Sequence, residues 1–397
     1  MKILIIHRNS FDVIGGAEST LYYMASALKN SGHTPVIVAK QRDSSYDDND
    51  FCKIVRYTSF KMKSKFSCLF LPYFEYKNAI IKLPEIIKKE NPDYIITRDN
   101  ILACVISQVF DKNKVVYIPL VIIKYYNKGI RKFNSVKTFI IEVLRYIQMK
   151  QESHYQIKAF KNLKKVIVFS NNVKKQALSA AGSTLDITVV HPGVSEKFFA
   201  AGTYTDIRNV FNIPADKKIL LFVGRVVQEK NIKMLLQAFS CAHNSNAVLF
   251  IVGDGDELIH LKKQANSLGI ADKVIFTGMR RDTEKFYSAA DFFVLPSYYE
   301  AFGNVVLESF ASGVPVIGFK TEPGKTLTAI DELVEEGKSG FICKDYSVNS
   351  LTESINNALD ISGTTDHEKM KLYCADSARQ KYTWNNFISN TLKILKK

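Results

Sequence analysis

Tryptophan, proline and closely spaced cysteines are scarce in this 397-residue chain, which has one tryptophan, 10 prolines and 6 cysteines. The cysteines lie far apart without a C-x-x-C pair, which argues against a disulfide scaffold or a cysteine metal site and predicts a reduced protein. No run of about 18 uninterrupted apolar residues occurs, so no transmembrane helix is predicted. The apolar run at the N-terminus is too short for a secretory signal, and the expected location is therefore the cytoplasm.

Acidic residues are also scarce, but only in the first half of the chain. Lys and Arg total 54 against 39 Asp and Glu, a net charge of +15. Residues 1–200 contain 31 basic and 16 acidic residues, whereas residues 201–397 contain 23 of each. The whole basic excess therefore belongs to the N-terminal half. Because the sequence has no helix-turn-helix, zinc or RNA-stacking motif, nucleic acid is not the expected partner.

Two stretches of the basic half favour contact with a membrane surface. Residues 51–74 combine five basic residues with seven aromatics and no acidic residue, and residues 131–165 hold nine basic and two acidic residues. Mixed basic and aromatic residues bind anionic leaflets, each charge contributing about 1 kcal/mol. Ordinary solvated lysine faces are the alternative. We predict that the N-terminal half contacts an anionic membrane surface, which would place the protein peripherally on the inner face of the cell membrane.

Short β-branched runs alternate with helical patterns along the chain, which is typical of parallel sheets covered by helices. Glycines and prolines interrupt this pattern at residues 191–212, so two α/β domains are predicted, 1–195 and 196–375, with a final helix over 376–397. The predicted strands are Ile3–Ile6, Pro35–Val38, Tyr94–Thr97, Val115–Ile118, Val166–Phe169, Thr188–Val190, Ile219–Val223, Val248–Val252, Val274–Thr277, Phe292–Leu295 and Val316–Gly318.

Two segments after predicted strands have the composition of phosphate-binding loops, at the place where a doubly wound sheet binds ligands. Gly15 and Gly16 precede a predicted helix, so that the backbone could approach an anion, although a glycine pair at such a turn equally serves tight packing. Arg225 and Lys230 flank the loop after the first strand of the second series, where they could hold phosphate oxygens. A solvated loop with an internal Lys–Glu pair is the alternative there.

The segment 297–317 carries the strongest signal. Glu300 lies on the predicted loop after a strand, and Phe302-Gly303-Asn304 would start a helix that carries Glu308 about two turns further on. The free N–H groups of Gly303 to Val305 would face an anion, with a carboxylate on either side to accept hydrogen bonds from vicinal hydroxyls. This layout suits a ligand that joins sugar hydroxyls to phosphates. Taken singly, either glutamate is better explained as a helix-capping or surface residue.

Together these motifs resemble glycosyltransferase family 4, retaining enzymes with the GT-B fold. The resemblance extends over nearly the whole chain. It implies two Rossmann-like, doubly wound domains that face across a cleft, with a C-terminal helix that returns to the first domain and places Trp384 there. The matching residues are Gly15-Gly16-Ala17-Glu18, Ser31-Gly32-His33, Val168-Phe169-Ser170, His191-Pro192-Gly193-Val194, Gly224-Arg225, Glu229-Lys230-Asn231, Gly253-Asp254-Gly255, Glu300, Phe302-Gly303, Glu308 and 311–317.

The resemblance also implies roles for the candidate residues. Arg225 and Lys230 would hold the pyrophosphate of a nucleotide-sugar donor and stabilise the charge on the leaving group, and Glu300 would contact hydroxyls of the donor sugar. The first domain would accordingly bind the acceptor and the second the donor, and domain closure would complete the site. The remaining implied donor contacts are Gly15 and Gly16 at the diphosphate, Met279 and Arg280 near the base, Phe302, Gly303, Asn304 and Val305 at the sugar and phosphate, and Glu308 at the ribose.

One departure from the family concerns the acceptor. Many relatives carry a His at the end of an N-domain strand, but the corresponding strand here reads Val115-Val116-Tyr117-Ile118-Pro119-Leu120. The resemblance implies a front-face mechanism, in which the leaving phosphate accepts the acceptor's proton, and such a mechanism needs no protein base.

Two Asp-x-Asp strings, Asp48-Asn49-Asp50 and Asp254-Gly255-Asp256, could bind a divalent metal with a nucleotide sugar. The resemblance instead assigns neutralisation of the diphosphate to Arg225, Lys230 and helix N-termini. We therefore expect no metal requirement and no cofactor beyond the nucleotide-sugar co-substrate.

The resulting prediction is a retaining glycosyltransferase that moves a hexose-type sugar from a nucleoside-diphosphate sugar to a saccharide or lipid-linked acceptor. The expected process is surface-polysaccharide synthesis, of O-antigen, capsule or exopolysaccharide. Two alternatives stay open. One is a soluble transferase that acts on a small-molecule acceptor, and the other is a non-catalytic protein that binds nucleotide sugars or an anionic polymer.

Overall fold

The chain forms two compact units, each built on one parallel sheet. The N-terminal unit comprises Met1–His191 and Trp384–Lys397, and the C-terminal unit comprises Pro192–Thr383. The prediction of two α/β domains is thereby confirmed. The computed structural model describes residues 1–8, 16–41, 52–58, 69–125, 136–182, 185–200 and 207–397.

The sheet of the N-terminal unit has seven parallel strands in the order β3-β2-β1-β4-β5-β6-β7. The order reverses between β1 and β4, so their carboxyl ends flank the crevice where such sheets bind ligands. The strands are β1 (Lys2–Ile6), β2 (Thr34–Lys40), β3 (Lys53–Tyr57), β4 (Tyr94–Thr97), β5 (Val115–Tyr117), β6 (Lys165–Val168) and β7 (Ile187–Val189).

Helices cover this sheet, which is why strands such as Ile3 to Ile6 are apolar and fully buried. Asp99 and Ser170 cap two of these helices by accepting hydrogen bonds from backbone N–H groups of the first turn. The helices are α1 (Gly16–Asn30), α2 (Leu71–Glu90), α3 (Asn100–Val109), α4 (Val136–Asn162) and α5 (Asn171–Ala181), and a 3-10 turn spans Lys112–Lys114.

The sheet of the C-terminal unit has six parallel strands in the order β10-β9-β8-β11-β12-β13. Its central strand β9 is buried along its whole length, because helices cover both faces. The order reverses between β8 and β11. The strands are β8 (Lys218–Val223), β9 (Ala247–Val252), β10 (Val274–Gly278), β11 (Phe292–Leu295), β12 (Val316–Phe319) and β13 (Gly340–Cys343).

The helices of the C-terminal unit pack their apolar stripes on this sheet around Phe222, Phe239 and Phe292. They are α6 (Ile207–Val210), α7 (Ile232–Cys241), α8 (Leu258–Ser267), α9 (Thr283–Ala289), α10 (Asn304–Ala311), α11 (Ile330–Leu333), α12 (Val348–Ile361) and α13 (Thr365–Lys381). Short 3-10 turns span Glu196–Phe199, Gln228–Lys230 and Asn244–Asn246.

The C-terminal stretch forms two helices, whereas a single one over 376–397 was predicted. Helix α13 ends at Lys381, and α14 (Trp384–Lys396) belongs to the N-terminal unit, where the Trp384 ring stacks on Tyr23 at 5.8 Å. A long-range contact accompanies the break: the carbonyl of Tyr382 accepts a hydrogen bond from the N–H of Val194, which keeps Tyr382 with the C-terminal unit. The units therefore change at 191/192 and 383/384, where 195/196 and 375/376 were predicted.

The sequence prediction missed two edge strands. Strand β3 has charged residues at two of its five positions, and the sequence prediction assigned these, Lys53 and Arg56, to a membrane-binding stretch. In the structure the Lys53 ammonium lies 2.6 Å from Glu90, Arg56 donates to the carbonyl of Lys40, and Tyr57 is buried, so these three residues are part of the fold. Strand β13 has four residues and begins at Gly340, which weakens its signal.

Candidate functional site

The loops that follow β8 and β9 lie in direct backbone contact. A Cβ on Gly253 would stand 1.8 Å from the carbonyl oxygen of Gly224, and one on Gly255 would stand 2.3 Å from that of Val226. Three backbone hydrogen bonds join the two segments, from Gly224 N–H to Val252, from Val226 N–H to Asp254 and from Glu257 N–H to Val226. Only glycine fits at Gly253, and this close approach fixes the loop that carries Arg225 and Lys230.

Arg225 lies just beyond the carboxyl end of β8 with an exposed side chain. Its Nη2 is 3.4 Å from Glu229 Oε1, an i,i+4 pair that leaves most of the guanidinium in solvent. Within this loop Glu229 therefore pairs with Arg225, whereas the alternative considered from the sequence is a pair between a lysine and a glutamate. Because the guanidinium is accessible at the point where the strand order reverses, it is placed to meet an anion.

Lys230 and Glu300 come from loops after different strands and form a largely buried ion pair. The 3-10 turn Gln228–Lys230 presents the lysine, and the following Asn231 adopts a left-handed conformation with φ of 48° and donates to the Tyr346 hydroxyl. On the other side, Glu300 N–H donates to Leu327 and Tyr298 N–H donates to Glu229. These bonds hold the two loops together, so that the ammonium and the carboxylate are positioned before any ligand binds.

The first turn of α10 presents unpaired backbone donors beside this ion pair. Gly303 precedes the helix with φ of 87°, and a Cβ there would lie 3.1 Å from Glu300 Cγ, so the carboxylate packs against the helix start. The N–H groups of Asn304 and Val305 find no acceptor within the part of the chain that the structure describes, whereas Val306 N–H bonds back to Gly303. Free N–H groups at a helix N-terminus favour an anion.

Glu308 lies further along α10 and accepts a hydrogen bond of 3.3 Å from the Tyr287 hydroxyl, which also lies 3.2 Å from the Val305 carbonyl. Burial raises the pKa of Glu308 to about 7, although the Tyr287 hydrogen bond and the charge of Lys197 lower it. Burial likewise raises the pKa of Tyr287. Glu308 is therefore a partly buried carboxyl that titrates near neutrality.

Met279 and Arg280 follow β10, two strands away from β8. Met279 is exposed, and Arg280 forms a bidentate ion pair with Asp282 at 2.9 and 2.8 Å, with its guanidinium 5.5 Å from the centre of the Phe286 ring. The structure thus places Arg280 against its own loop, while Met279 is the freer of the two side chains. Both lie at the same sheet edge as Arg225, because Gly253 N–H donates to the Gly278 carbonyl.

The other predicted positions fall into three groups. Gly15 and the Asp48-Asn49-Asp50 string lie outside the described residues. Gly16 is the first residue of α1. Asp254 Oδ1 accepts from Gly255 N–H at 2.7 Å, and no cluster of three or more His, Cys, Asp or Glu side chains suited to a metal occurs in the described ranges. The sheet edge of the C-terminal unit thus brings together Arg225, Lys230, Glu300, the start of α10 and Glu308.

Sequence reasoning missed two groups that support this site. The Tyr287 hydroxyl contacts both Glu308 and the Val305 carbonyl, and Tyr346 accepts the hydrogen bond from Asn231. Tyr287 lies in α9 and Tyr346 in the loop between β13 and α12, both outside the motif. No local pattern marks them, and only the packing of these segments beside the site identifies them.

Chemically, this edge combines the cations of Arg225 and Lys230, the two N–H groups at the start of α10, and the carboxylates of Glu229, Glu300 and Glu308 around the ends of β8 and β11. The cations and the helix start can neutralise a diphosphate, and the carboxylates can accept hydrogen bonds from hydroxyls on either side of it.

Models of two known families match nearly the whole chain. The model described as "Glycosyl transferases group 1" matches residues 203–380, and the model described as "Glycosyltransferase Family 4" matches residues 14–198. The first match spans the Arg225 to Glu308 site.

Among curated proteins, the chain is 34% identical over 147 residues to the lipopolysaccharide core biosynthesis glycosyltransferase LpsE of Rhizobium meliloti, covering 33% of this chain and 43% of that protein. It is 28% identical over 243 residues to an uncharacterized glycosyltransferase of Methanocaldococcus jannaschii, covering 58% and 59%. The chain thus spans about half the length of the curated relatives it matches.

Solved structures resemble the chain over its full length. Sucrose-phosphate synthase of Thermosynechococcus elongatus superposes with a TM-score of 0.78 at 18% identity, covering 100% of this chain and 98% of that one. HepE of Anabaena in complex with UDP superposes with a TM-score of 0.72 at 19% identity, covering 99% and 100%, and HepE is also known with UDP-glucose bound. These likenesses show that the fold is GT-B, as the sequence predicted.

None of the helices within the described ranges is both long enough and apolar enough to cross a membrane.

Proposed function

This chain belongs to the glycosyltransferases of group 1 and family 4, and we propose that it transfers a hexose-type sugar from a nucleoside-diphosphate sugar to a saccharide or lipid-linked acceptor. One observation carries the proposal: the Lys230–Glu300 ion pair lies against the free N-terminus of α10, with Arg225 at the neighbouring strand end. The UDP and UDP-glucose bound to HepE support a nucleotide-sugar donor.

In this proposal the charge on the departing diphosphate is neutralised by the protein alone. Arg225 and the Lys230 ammonium bind phosphate oxygens, and the N–H groups of Asn304 and Val305 add two donors at the helix start. Since Lys230 and the start of α10 are held in place by the fold before the donor arrives, these groups need little reorganisation as negative charge develops. Glu300 orients Lys230 and accepts from a hydroxyl of the donor sugar, and Glu308 accepts from the ribose.

Mutation of the ion pair tests this assignment. UDP-, GDP- and ADP-sugars are first screened by thermal shift and hydrolysis, because a bound donor stabilises the folded protein. Glu300→Gln and Arg225→Ala should each reduce turnover of the selected donor by about 100-fold or more, since Arg225→Ala removes a cation that stabilises the leaving diphosphate and Glu300→Gln removes the carboxylate that orients Lys230 and accepts from the sugar. Glu353→Gln and Arg379→Ala, at exposed surface ion pairs, serve as matched controls. Turnover that survives both site substitutions refutes the assignment.

Retention at the anomeric carbon is part of the same proposal. The leaving phosphate accepts the proton of the acceptor hydroxyl on the face from which the diphosphate departs, so no protein base is required. Proton NMR of the first product, recorded before mutarotation, distinguishes the anomers. An inverted product contradicts the front-face mechanism but leaves the transferase assignment in place.

The proposed site of action is the surface of an anionic membrane, and helix α4 supports it. Phe139, Ile140, Ile141, Val143 and Tyr146 are between 41% and 52% exposed, and no residue from 139 to 154 is buried. Lys150 lies over the Tyr146 ring at 5.3 Å. Gln151 donates to the Leu69 carbonyl, which brings the exposed Phe70 and Tyr73 of the neighbouring segment beside α4. Apolar side chains rimmed by lysines suit an anionic leaflet.

Co-sedimentation with vesicles tests this surface. Vesicles that contain phosphatidylglycerol should bind the protein at low salt and release part of it at high salt, because basic residues contribute through screened charge. The double variant Phe139→Ser and Tyr146→Ser should bind more weakly, whereas Leu372→Ser, at an exposed leucine of α13, should not. Absence of binding even at low salt removes the membrane proposal.

The relative named for lipopolysaccharide core biosynthesis supports a saccharide acceptor and a role in surface-polysaccharide synthesis. The non-catalytic alternative makes the opposite prediction for the donor screen, in which a nucleotide sugar would bind without being turned over.

A further inference from the structure

Helix α2 carries two buried glutamates whose surroundings differ. Glu90 is 3% exposed and lies 2.6 Å from the Lys53 ammonium and 2.9 Å from that of Lys2, and these bonds lower its pKa. Glu75 is 6% exposed and makes no hydrogen bond or ion pair with any residue in the described ranges, and burial raises its pKa. Because buried polar groups are nearly always paired, Glu75 requires an explanation.

Tyr57 presents the same anomaly beside it. The residue is 4% exposed, and its hydroxyl has no hydrogen-bond partner among the described residues. Burial, followed by the charges of Asp99 and Glu75, raises the pKa of this phenol, so its hydroxyl lies within electrostatic range of both carboxylates. Asn78, one turn after Glu75 on α2, donates to the carbonyl of Thr58, which brings this helix to the end of β3.

Arg8 organises the charged groups around these two side chains. Its Nε lies 2.9 Å from Asp99 Oδ2, and its Nη2 lies 2.9 Å from Glu152 Oε1. Asp99 is itself fixed, because its Oδ1 accepts from the N–H groups of Ile101 and Leu102 at the start of α3. The guanidinium is therefore bound by these two carboxylates, and no group in the described ranges pairs with Glu75 or with the Tyr57 hydroxyl.

These groups lie at the ligand-binding edge of the N-terminal sheet. Arg8 follows β1 and Asp99 follows β4, the two strands between which the strand order reverses. Lys40 and Tyr57 are the last residues of β2 and β3, and the α2 and α4 helices add Glu75 and Glu152. We call this set the Arg8 cluster: Arg8, Lys40, Tyr57, Glu75, Asp99 and Glu152.

The composition of the Arg8 cluster indicates which ligand it could take. The Arg8 guanidinium is already shared between Asp99 and Glu152, so a phosphate or a carboxylate would have to compete with two fixed carboxylates for it. A hydroxyl can donate to Glu75 and can both donate to and accept from Tyr57. Vicinal hydroxyls of a sugar ring would thus pair the two buried groups for which the described part of the chain provides no partner.

We propose that the Arg8 cluster binds the hydroxyls of an uncharged sugar ring of the acceptor, with Tyr57 and Glu75 making the hydrogen bonds. This inference rests on the proposed transferase function and specifies its acceptor. Any phosphate that the acceptor carries lies away from the Arg8 cluster.

Ligand-observed NMR on the full chain, without donor, tests the proposal. The probes are methyl glycosides of glucose, galactose, mannose and N-acetylglucosamine at millimolar concentration, and the 6-phosphates of the first three sugars. We expect at least one neutral glycoside to bind and to bind more tightly than any phosphate. Preference for a phosphate, or binding of no neutral glycoside, overturns the proposal.

Two variants separate a ligand contact from a structural role. Tyr57→Phe and Glu75→Gln should each weaken glycoside binding by about tenfold, the value of one lost hydrogen bond. Neither should lower the melting temperature, because neither removes a hydrogen bond within the protein. Tyr94→Phe, at the opposite end of the sheet, and Glu85→Gln, at an exposed position of α2, are the matched controls. Unchanged glycoside binding in Tyr57→Phe, or a marked fall in its melting temperature, refutes the proposal.

The binding assay also keeps the two proposals distinct. If the chain binds glycosides through Tyr57 but transfers no sugar from any donor, the transferase function fails and the sugar site stands. If transfer proceeds in Tyr57→Phe with an unchanged KM for the acceptor, the sugar site fails and the transferase function stands.

Discussion

The two units arrange charge differently at the carboxyl ends of their strands. In the C-terminal unit Arg225 and Lys230 accompany the free N–H groups of α10, and Glu300 is already paired with the lysine. In the N-terminal unit the Arg8 guanidinium is already shared between Asp99 and Glu152, and the buried Tyr57 and Glu75 have no hydrogen-bond partner among the described residues. The first edge suits a diphosphate, and the second suits neutral hydroxyls.

The two sheet edges also differ in whether backbone conformation or side chains form the candidate binding site. The C-terminal site depends on backbone conformation, with a close approach at Gly253 and a positive φ at Gly303 that favour glycine at fixed positions. The edge of the N-terminal unit depends on side chains from four strand ends and two helices. A backbone-made site should therefore tolerate little change at its glycines, whereas a side-chain-made site should tolerate isosteric changes without loss of stability.

Gly253→Ala should produce the largest effect. The new Cβ would stand 1.8 Å from the Gly224 carbonyl, so the loop that carries Arg225 must shift, at a cost of at least about 3 kcal/mol. Gly269→Ala is the control, since its φ of 67° is also positive but no atom lies within 4 Å, and it should cost about 1–2 kcal/mol. Thermal unfolding and nucleotide binding measure both. Equal effects of the two substitutions would contradict the claim that the close backbone approach at Gly253 requires glycine.

Lys230→Ala should follow, with turnover reduced by about 100- to 1000-fold, because the ammonium stabilises the leaving diphosphate and its loss leaves Glu300 unpaired. Lys233→Ala, at an exposed position one turn away, should keep near-normal turnover. Steady-state kinetics at saturating donor measure the effect. A change in KM alone would show that Lys230 binds the ground state and the transition state equally.

The two buried glutamates of α2, Glu75 and Glu90, should respond differently to substitution by glutamine. Glu90→Gln should lower the free energy of unfolding by about 1–2 kcal/mol, because it weakens two lysine contacts to a buried carboxylate. Glu75→Gln should cost nothing, because burial disfavours its charge and no partner is lost. Denaturant unfolding of both variants provides the measurement, and destabilisation by Glu75→Gln would mean that Glu75 is structural.

Glu308 should make nucleotide binding depend on pH. Its pKa is raised to about 7, so the carboxylate that accepts from the ribose forms only as the pH rises through that value. Affinity should fall about tenfold as the pH is lowered from about 8 to about 6, because only about a tenth of the group remains ionised. The matched variant Glu308→Gln isolates this effect, since its affinity carries only the titration of the nucleotide. Parallel pH profiles would exclude Glu308 from the ribose contact.

The raised pKa of Glu308 should also make the stability of the folded protein depend on pH, with a smaller effect. A raised pKa means that the folded state binds the proton more tightly than the unfolded state does. The stabilisation is therefore complete below about pH 4.5 and is lost as the pH rises through about 7. Glu308→Gln should remove this part of the pH dependence from the unfolding of the C-terminal unit.

Much of the fold could be predicted from the sequence, because buried parallel strands are nearly continuous apolar runs. Strand β9 shows this pattern over all of its residues. Strand β3 was not predicted, because this edge strand carries the charged residues Lys53 and Arg56, whose partners Glu90 and Lys40 lie elsewhere in the chain. The break between α13 and α14 was not predicted either, because the hydrogen bond from Val194 to Tyr382 joins residues far apart in sequence.

The sequence by itself determined the class of the C-terminal site. Glycines at fixed offsets from strand ends, together with Glu300 and Glu308 on either side of a helix start, form a sequence motif. This motif can be recognised without the structure. Only the tertiary structure brought Lys230 to Glu300, placed Tyr287 on Glu308, and gathered Tyr57, Glu75 and Arg8 at one sheet edge. The physical reason is that a backbone-made anion site is encoded within a few residues, whereas a site made of side chains from separate strands exists only after the sheet has formed.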